Sequence, residues 1–260
     1  MSPPFDVGPL LAPDEPPALE TFQADASSPF LLTCDHAGRA VPRRLANLEL
    51  DDEHFDTHIA WDLGAAGFAR ALAERLVAPL FLQRYSRLVI DCNRPLDAGD
   101  SIPERSGGVE IPANQGLDEG SRRARAQEIF RPYHSAIEAE LERRRATGAA
   151  VVLVTLHSFT PRLWDRDRPW QTGILSRQDR RLAEPLLAAL RAEGWTVGDN
   201  EPYAVTPTSD YAVNVYGEAL GHPYVELEIR QDLLATAAGQ NEWAERYARL
   251  LRGAAAPWLG

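Results

Sequence analysis

The feature that most constrains the fold is a series of short apolar runs that alternate with longer segments of helical character. The strand-like runs are PFLLTC (29–34), PLFLQ (79–83), RLVIDC (87–92), VVLVTL (151–156), TGIL (172–175) and YVELEIR (224–230). The helix-like segments are roughly 62–77, 121–146, 178–193, 209–219 and 240–253. Nearly continuous apolar strands separated by helices are typical of a sheet covered on both faces. The pattern therefore predicts an α/β fold with three layers.

The domain organisation follows from where this alternation begins. Residues 1–28 are rich in Pro, Ala and acidic residues, which predicts an irregular N-terminal arm. After residue 29 there is no internal repeat, and no linker rich in Pro and Gly divides the chain. We expect residues 29–260 to form a single domain. Pro132 should break or restart the helix that contains it, and Gly194 should end the next one.

Charge and cysteine usage narrow the function classes. The formal net charge of -11 argues against nucleic acid or an anionic membrane as the main partner. The two cysteines, Cys34 and Cys92, both end apolar runs and are expected to be buried free thiols. No stretch approaches the ~20 apolar residues of a membrane span, so the expected location is the cytoplasm and the expected partner is a small molecule. Nothing in the sequence indicates an oligomeric state.

Polar clusters follow several of the predicted strands at the point where each strand ends. TCDHAGR follows the first strand and places His36 there, and LHSFTPRLW places His157 and Ser158 after the fourth. DCNRP follows the third strand with Asn93 and Arg94. In open α/β sheets, ligands bind outside the carboxyl ends of the strands. We therefore expect these clusters to meet in one site.

Two histidines on separate strand ends point to a metal. Neutral imidazole is the commonest zinc ligand, and a carboxylate is a usual third ligand in a hydrolytic site. Asp62, in HIAWDLGAAGF, is the acidic candidate. The alternatives are that each histidine is a structural residue and that Asp62 caps a helix.

The last predicted strand carries a pair of carboxylates. Glu226 and Glu228 lie two residues apart and therefore share one face of the strand, and Arg230 joins them. The alternative for Glu228 is a structural ion pair with Arg230 or Arg94. Asn93 and Arg94, before Pro95, could likewise serve only to form a turn.

Five motifs in order resemble the N-formylglutamate amidohydrolase family. They are TCDHAGRAVP, HIAWDLGA, SRLVIDCNRP, LHSFTP and VELEIRQDLL, and the likeness runs from about residue 29 to 235. That family is related to the zinc carboxypeptidases and the succinylglutamate desuccinylases. The resemblance implies a three-layer αβα fold with a mixed central sheet, similar to the phosphorylase/hydrolase-like fold of the zinc carboxypeptidases. It also implies a zinc-dependent hydrolase that removes an N-formyl or other N-acyl group from an amino acid.

The resemblance assigns roles residue by residue. His36, His157 and Asp62 match the Zn²⁺ ligands, with His58 as the competitor for the third position. Glu228 resembles the general base of the related carboxypeptidases, and Arg87 resembles the Arg of the family's SR motif, which suggests oxyanion stabilisation. The substrate carboxylate would be held by Asn93 and Arg94, with Arg230 as a further substrate-binding candidate.

One departure from the related carboxypeptidases concerns the metal ligands. They carry a Glu three residues after the first His, whereas this chain has Arg39 there, so the third ligand must come from elsewhere. Two further functions stay open. One is a hydrolase of the same fold that acts on another N-acyl amino acid or a short peptide. The other is a non-catalytic protein that binds a small carboxylate.

Overall fold

A mixed seven-stranded sheet forms the middle layer of the molecule. The computed structural model describes residues 8–259. Their strands are β1 (Leu19–Phe22), β2 (Phe30–Cys34), β3 (Leu80–Gln83), β4 (Arg105–Ser106), β5 (Val109–Glu110), β6 (Val152–Phe159), β7 (Arg162–Leu163), β8 (Arg166–Asp167), β9 (Thr172–Leu175), β10 (Val197–Asp199) and β11 (Tyr224–Arg230). The large sheet has the order β1-β3-β2-β6-β11-β9-β10, while β4-β5 and β7-β8 form two small hairpins. Its four central strands, β3, β2, β6 and β11, are mutually parallel, whereas β1 and β9 run antiparallel to their neighbours β3 and β11.

Helices cover both faces of this sheet. They are α1 (Ala65–Leu76), α2 (Glu119–Arg125), α3 (Arg131–Thr147), α4 (Ala183–Ala192) and α5 (Ala237–Ala255), with π-helical segments at Ala126–Phe130 and Val213–Glu218. One core packs α1, α4 and α5 against one face, and a second core packs α3 and the segment around Val213 against the other. The predicted three-layer α/β fold is therefore confirmed.

Alternation along the strands separates the two cores. In β2, Phe30 and Leu32 belong to the first core, and Leu31 belongs to the second. Successive side chains of a strand point to opposite faces, so each central strand contributes to both cores. This explains why the strands read as continuous apolar runs rather than as an alternation with polar residues.

One predicted strand is wrong. RLVIDC (87–92) forms turns and irregular backbone, although Leu88 to Cys92 are all buried. Its carbonyl groups bind side chains instead of a neighbouring strand: Asn114 donates to Leu88 O at 2.8 Å and Arg125 donates to Val89 O at 2.8 Å. Apolar character alone predicts burial here, and the extended conformation does not follow from it.

The N-terminal arm differs from the expectation, whereas two helix ends agree with it. Residues 19–22 lie within the predicted irregular arm but form β1, which pairs with β3 at the edge of the sheet; residues 1–7 lie outside the described part of the chain. Pro132 occupies the first turn of α3, and the π-helical segment before it carries the chain into that helix. Gly194 has a φ of 86° just after α4, as expected for a helix stop.

Within residues 8–259, no helix combines the length and the apolar character needed to cross a membrane.

Candidate active site

The candidate site lies where one face of the sheet changes from apolar to polar. On β6, Leu153 belongs to the core, whereas His157, on the same face four residues later, lines a cavity. On β11, Tyr224 is in that core, and Glu226 and Glu228 follow it on the same face and line the cavity. The two strands are parallel and pair Glu228 with His157. The carboxyl ends of β6 and β11 therefore bring histidine and glutamate side chains to the same edge of the sheet.

The cavity has a volume of about 640 Å³ and is lined by most of the predicted site residues. Its lining includes His36, Asp62, Arg87, Asn93, Arg94, His157 and Glu228. His58 also lines it, and its imidazole is half-buried.

His36, Asp62 and His157 form a buried group that could hold a metal ion. One ligand atom of each lies within 4.8 Å of the others. Asp62 Oδ2 is 3.0 Å from His157 Nδ1 and 3.5 Å from His36 Nδ1. His36 Nδ1 is buried and has no hydrogen-bond partner among the described residues. An orphaned imidazole nitrogen beside a second imidazole and a carboxylate is the donor set of a catalytic zinc site, so the residues fit such an ion.

His58 is not part of this group, although the sequence left it open as the third ligand. Asp62 does not act as the N-cap of α1 either: the N-cap is Gly64, and no side chain caps the helix there. The Asp62 carboxylate instead faces the two histidines and accepts a hydrogen bond from Ser158 N at 3.2 Å.

Further carboxylates stand beside both histidine rings, and one of them, Asp91, forms a hydrogen bond that orients His36. His36 Nε2 donates to Asp91 Oδ1 at 2.7 Å, and Nδ1, the other nitrogen of the ring, faces Asp62 Oδ2. His157 Nε2 lies 3.8 Å from Asp35 Oδ2 and 4.0 Å from Glu226 Oε2. Carboxylates behind ligating histidines fix the tautomer and raise the basicity of the ligand.

The electrostatics of this group favour a positive charge at its centre. Burial and the charge of Arg87 oppose protonation of His36, but Asp91 and Asp62 outweigh them and raise the pKa of His36 to about 9. Burial also opposes ionisation of Asp62, yet the two histidines hold its pKa far below its usual range. In the metal-free protein a proton therefore supplies the charge that a bound cation would supply.

Arg87 bridges two of these carboxylates. Its guanidinium lies 3.4 Å from Asp62 Oδ1 and 3.2 Å from Asp91 Oδ2. The side chain is a quarter exposed and reaches the cavity. Much of its charge is thus offset by two anions.

Glu228 is the carboxylate with a free oxygen in the cavity. Its Oε2 is buried without a hydrogen-bond partner among the described residues, whereas Glu226 Oε2 accepts from Thr155 Oγ1 at 3.0 Å. Burial, followed by the charges of Asp62 and Asp210, raises the pKa of Glu228 well above its usual range. A carboxyl group with a raised pKa and a free oxygen is suited to proton transfer.

Asn93 and Arg94 also line the cavity. Asn93 is buried and donates to Asp210 Oδ1 at 3.3 Å. Arg94 Nε pairs with Asp100 at 3.1 Å, and its Nη2 makes no hydrogen bond within residues 8–259. One edge of this guanidinium thus stays open to an anion.

Arg230 was predicted to bind substrate, and the structure does not bring it together with the other predicted site residues. It is absent from the cavity lining, because its guanidinium turns to Asp232, with Nε 2.8 Å from Oδ1. The structural alternative, in which Glu228 pairs with Arg230, is wrong for the same reason. Arg39, which stands where the related carboxypeptidases have a ligand, pairs with Asp56.

Several site residues were missed by the sequence reasoning. Asp35 and Asp91 stand inside the quoted motifs, but the motifs do not show that Asp91 binds His36 or that Asp35 lies near His157. Asp210 and Tyr203 lie on the segment after β10, which carries none of the recognised motifs. Arg168 follows the β7-β8 hairpin, and only the folded chain brings it to Tyr203.

A model of the family described as N-formylglutamate amidohydrolase matches residues 28–235. An N-formylglutamate deformylase of Pseudomonas putida is 30% identical over 156 residues, an alignment that covers 54% of this chain and 57% of that protein. The match thus spans little more than half the length of that relative.

Two solved structures are similar over most of the chain. A gene product of Agrobacterium tumefaciens superposes with a TM-score of 0.93 at 35% identity, covering 96% of this chain and 100% of that one. The N-formylglutamate amidohydrolase of Ralstonia eutropha superposes with a TM-score of 0.68 at 19% identity, covering 91% and 97%. At that identity the second likeness concerns the fold alone.

Proposed function

The chain belongs to the N-formylglutamate amidohydrolase family, and on that basis we propose that it is a zinc-dependent amidohydrolase. Its substrate would be an N-formyl or other N-acyl amino acid resembling N-formyl-L-glutamate, and the products would be the free amino acid and formate, or the matching carboxylic acid for another acyl group. The observation that carries the proposal is the buried group of His36, Asp62 and His157 in the same cavity as the unpartnered Glu228 Oε2.

The metal would be held by His36, Asp62 and His157, with Asp91 and Asp35 behind the two imidazoles. A divalent ion bound there would supply a Lewis acid that polarises the acyl carbonyl and lowers the pKa of a nearby water. The histidine-rich donor set favours zinc over the oxygen-preferring magnesium and calcium.

Glu228 is the general base of this mechanism. It takes a proton from the attacking water as the oxygen bonds to the acyl carbon. When the C–N bond breaks, Glu228 returns the proton to the departing nitrogen, which leaves as an amine. Burial raises the pKa of the carboxyl group above its usual range, and a more basic carboxylate accepts a proton from water more readily.

Arg94, assisted by Asn93, would bind the carboxylate of the amino acid. The free edge of the Arg94 guanidinium can donate to a carboxylate in a charge-assisted pair. Arg87 would help to stabilise the negative charge that develops on the carbonyl oxygen.

A second candidate is a hydrolase of the same mechanism that acts on a larger N-acyl amino acid or a short peptide. The observation that favours it is the size of the cavity, about 640 Å³. At ~30 Å³ per water molecule this space would hold roughly twenty waters, which exceeds the needs of one N-formyl amino acid.

The test is a substrate panel that includes N-formyl-, N-acetyl- and N-succinyl-amino acids and dipeptides. The release of free amine is measured with zinc present, after chelation, and after zinc is restored. We expect hydrolysis of at least one N-acyl amino acid, loss of it with chelator and recovery with zinc. A metal-loaded protein that hydrolyses no member of the panel would favour a non-catalytic carboxylate-binding protein.

A further inference from the structure

The segment after β10 brings an aromatic hydroxyl into the cavity. Tyr203 lines the cavity and retains 41% of its surface exposed. The backbone just before Tyr203, at Glu201, lies directly on the sheet. A Cβ at Gly173 would stand 2.1 Å from Glu201 O, and a Cβ at Gly198 would stand 2.5 Å from the same atom. The glycines of β9 and β10 therefore allow the close approach that sets the position of Tyr203.

Arg168 forms a hydrogen bond with the hydroxyl of Tyr203. Its Nη1 donates to the Tyr203 hydroxyl at 2.9 Å, and its Cζ lies 4.8 Å from the centre of the Tyr203 ring. Arg168 is buried, and within residues 8–259 no carboxylate lies within salt-bridge distance of it. Because the hydroxyl oxygen accepts from Arg168, the proton of Tyr203 is free to be donated into the cavity.

The surroundings as a whole keep this donor neutral, and Arg168 polarises it. Burial, followed by the charge of Glu228, raises the pKa of Tyr203, so the hydroxyl keeps its proton at neutral pH. A hydroxyl that accepts a bond from a buried guanidinium is polarised and becomes a better donor. The charge of Arg87, by contrast, is offset by Asp62 and Asp91.

We propose that Tyr203 is a catalytic residue that donates a hydrogen bond to the negative charge developing on the substrate's carbonyl oxygen, and that Arg168 is its positioning residue. This inference rests on the proposed function, because it places Tyr203 beside the base Glu228 during hydrolysis of an N-acyl bond. Tyr203 then supplements Arg87, since two donors stabilise such an oxygen better than one.

The kinetic test uses Tyr203→Phe with the best substrate of the panel. An interaction made only in the transition state lowers kcat and leaves KM little changed, and loss of one such donor typically costs roughly 10²-fold. Tyr85→Phe is the matched control, because its hydroxyl donates to the carbonyl of exposed Pro16 at 2.8 Å, outside the cavity. A raised KM with unchanged kcat would overturn the proposal and make Tyr203 a ground-state binding residue.

The role of Arg168 is tested with Arg168→Gln and the double variant. If Arg168 acts through Tyr203, the double variant is no slower than Tyr203→Phe alone, whereas independent effects would multiply. Arg168→Lys, which keeps a cation near the hydroxyl, should recover part of the kcat lost in Arg168→Gln. Multiplying effects would overturn the positioning role. If Arg168→Gln does not fold, the kcat of Arg168→Lys is compared with that of the parent protein instead, both alone and combined with Tyr203→Phe.

A binding measurement separates this inference from the proposed function. Phosphonomethylglutarate carries a tetrahedral phosphonate where the formyl carbon would be attacked, and its affinity is measured by calorimetry with zinc-loaded protein. We expect Tyr203→Phe to weaken it by about the factor lost in kcat and Tyr85→Phe to leave it unchanged. Unchanged affinity in Tyr203→Phe overturns the inference alone. A parent protein that binds the phosphonate through Tyr203 but hydrolyses nothing overturns the proposed function alone.

Discussion

At the scale of single residues, the two carboxylates of β11 show how neighbours on one face acquire different roles. Both are buried, and burial is the largest cause of the raised pKa of each. Glu226 is engaged by Thr155, whereas Glu228 keeps a free oxygen in the cavity. The hydrogen bond to Thr155 thus distinguishes the surroundings of the two carboxylates.

Replacing Glu228 by Gln should remove most of the turnover while metal content and fold persist. The amide keeps the size of the side chain but cannot act as a base, and general-base catalysis contributes typically ~10²–10⁴-fold. The loss should appear in kcat, measured at saturating substrate, with KM little changed. Glu226→Gln is the control from the same face of the strand. If Glu226→Gln loses more activity than Glu228→Gln, the base has been assigned to the wrong carboxylate.

Asp62→Asn should weaken zinc binding more than His58→Ala. Asp62 supplies an anionic oxygen within 3.5 Å of the Nδ1 atom of both histidines, whereas His58 stands outside the group. Zinc affinity is measured by competition with a chromophoric chelator. The opposite ranking would return the third ligand position to His58.

The residues of the site differ in how far the sequence reveals them. His36, His157 and Asp62 stand in short motifs next to predicted elements, so their convergence follows from the carboxyl-end rule for α/β sheets. Tyr203 and Arg168 are thirty-five positions apart along the chain, and neither neighbours a recognised motif. Their contact depends on how two loops pack, which no local pattern encodes.

At the scale of elements, the segment 87–92 carries Arg87 and Asp91 into the site without being a strand. Its backbone is held by side chains from elsewhere, including Asn114, Arg125 and His134, whose Nε2 lies 2.9 Å from Cys92 O. The sequence predicts that the segment is buried, because it is apolar. It cannot predict the loop conformation, because the partners that replace a neighbouring strand are distant in sequence.

Arg125→Met should destabilise this segment. Arg125 donates to Val89 O at 2.8 Å and to Asn114 Oδ1 at 2.7 Å, so its loss leaves buried acceptors without a donor. We expect the free energy of unfolding, measured by urea denaturation, to fall by about 1–3 kcal/mol. Arg123→Met on the same helix is the control, since that side chain is 61% exposed. Equal stabilities for the two variants would show that the segment does not depend on Arg125.

Gly173→Ala should displace the segment that carries Tyr203. Its Cβ would meet Glu201 O at 2.1 Å, and a backbone atom cannot yield as a flexible side chain does. We expect lower kcat and lower thermal stability. Gly253→Ala in α5 meets nothing within 4 Å and should instead stabilise the protein by roughly 0.5–1 kcal/mol. Unchanged activity in Gly173→Ala would mean that the segment accommodates the methyl group elsewhere.

At the scale of the whole molecule, the three layers follow from the order of strands and helices, but the directions of β1 and β9 do not. The parallel strands β2, β3, β6 and β11 are joined by crossovers that contain helices, as the alternation predicts. The edge strand β1 lies in a segment rich in Pro and is not recognisable there as a strand, because a strand that pairs on one side needs little apolar sequence. The antiparallel entry of β9 likewise depends on the path of the connecting loop, which carries the β7-β8 hairpin and Arg168.

Zinc should stabilise the whole fold, because the proposed metal group joins its central elements. His36 follows β2, His157 lies on β6, and Asp62 precedes α1, so no ligand set of this geometry exists in the unfolded chain. A ligand at a hundred times its Kd that binds only the native state adds ~2.7 kcal/mol. For a chain of this size that corresponds to a rise in Tm of roughly 5–10 °C, measured by calorimetry with zinc and with chelator.

His36→Ala should abolish this zinc-dependent rise in Tm. His54→Ala should retain it, although His54 stands in a second group with Asp51 and Glu53, because those residues are mostly exposed and their ion would stay hydrated. If His54→Ala removes the zinc-dependent rise and His36→Ala does not, the metal binds at the surface, and the buried group of His36, Asp62 and His157 is held together by protons and hydrogen bonds alone.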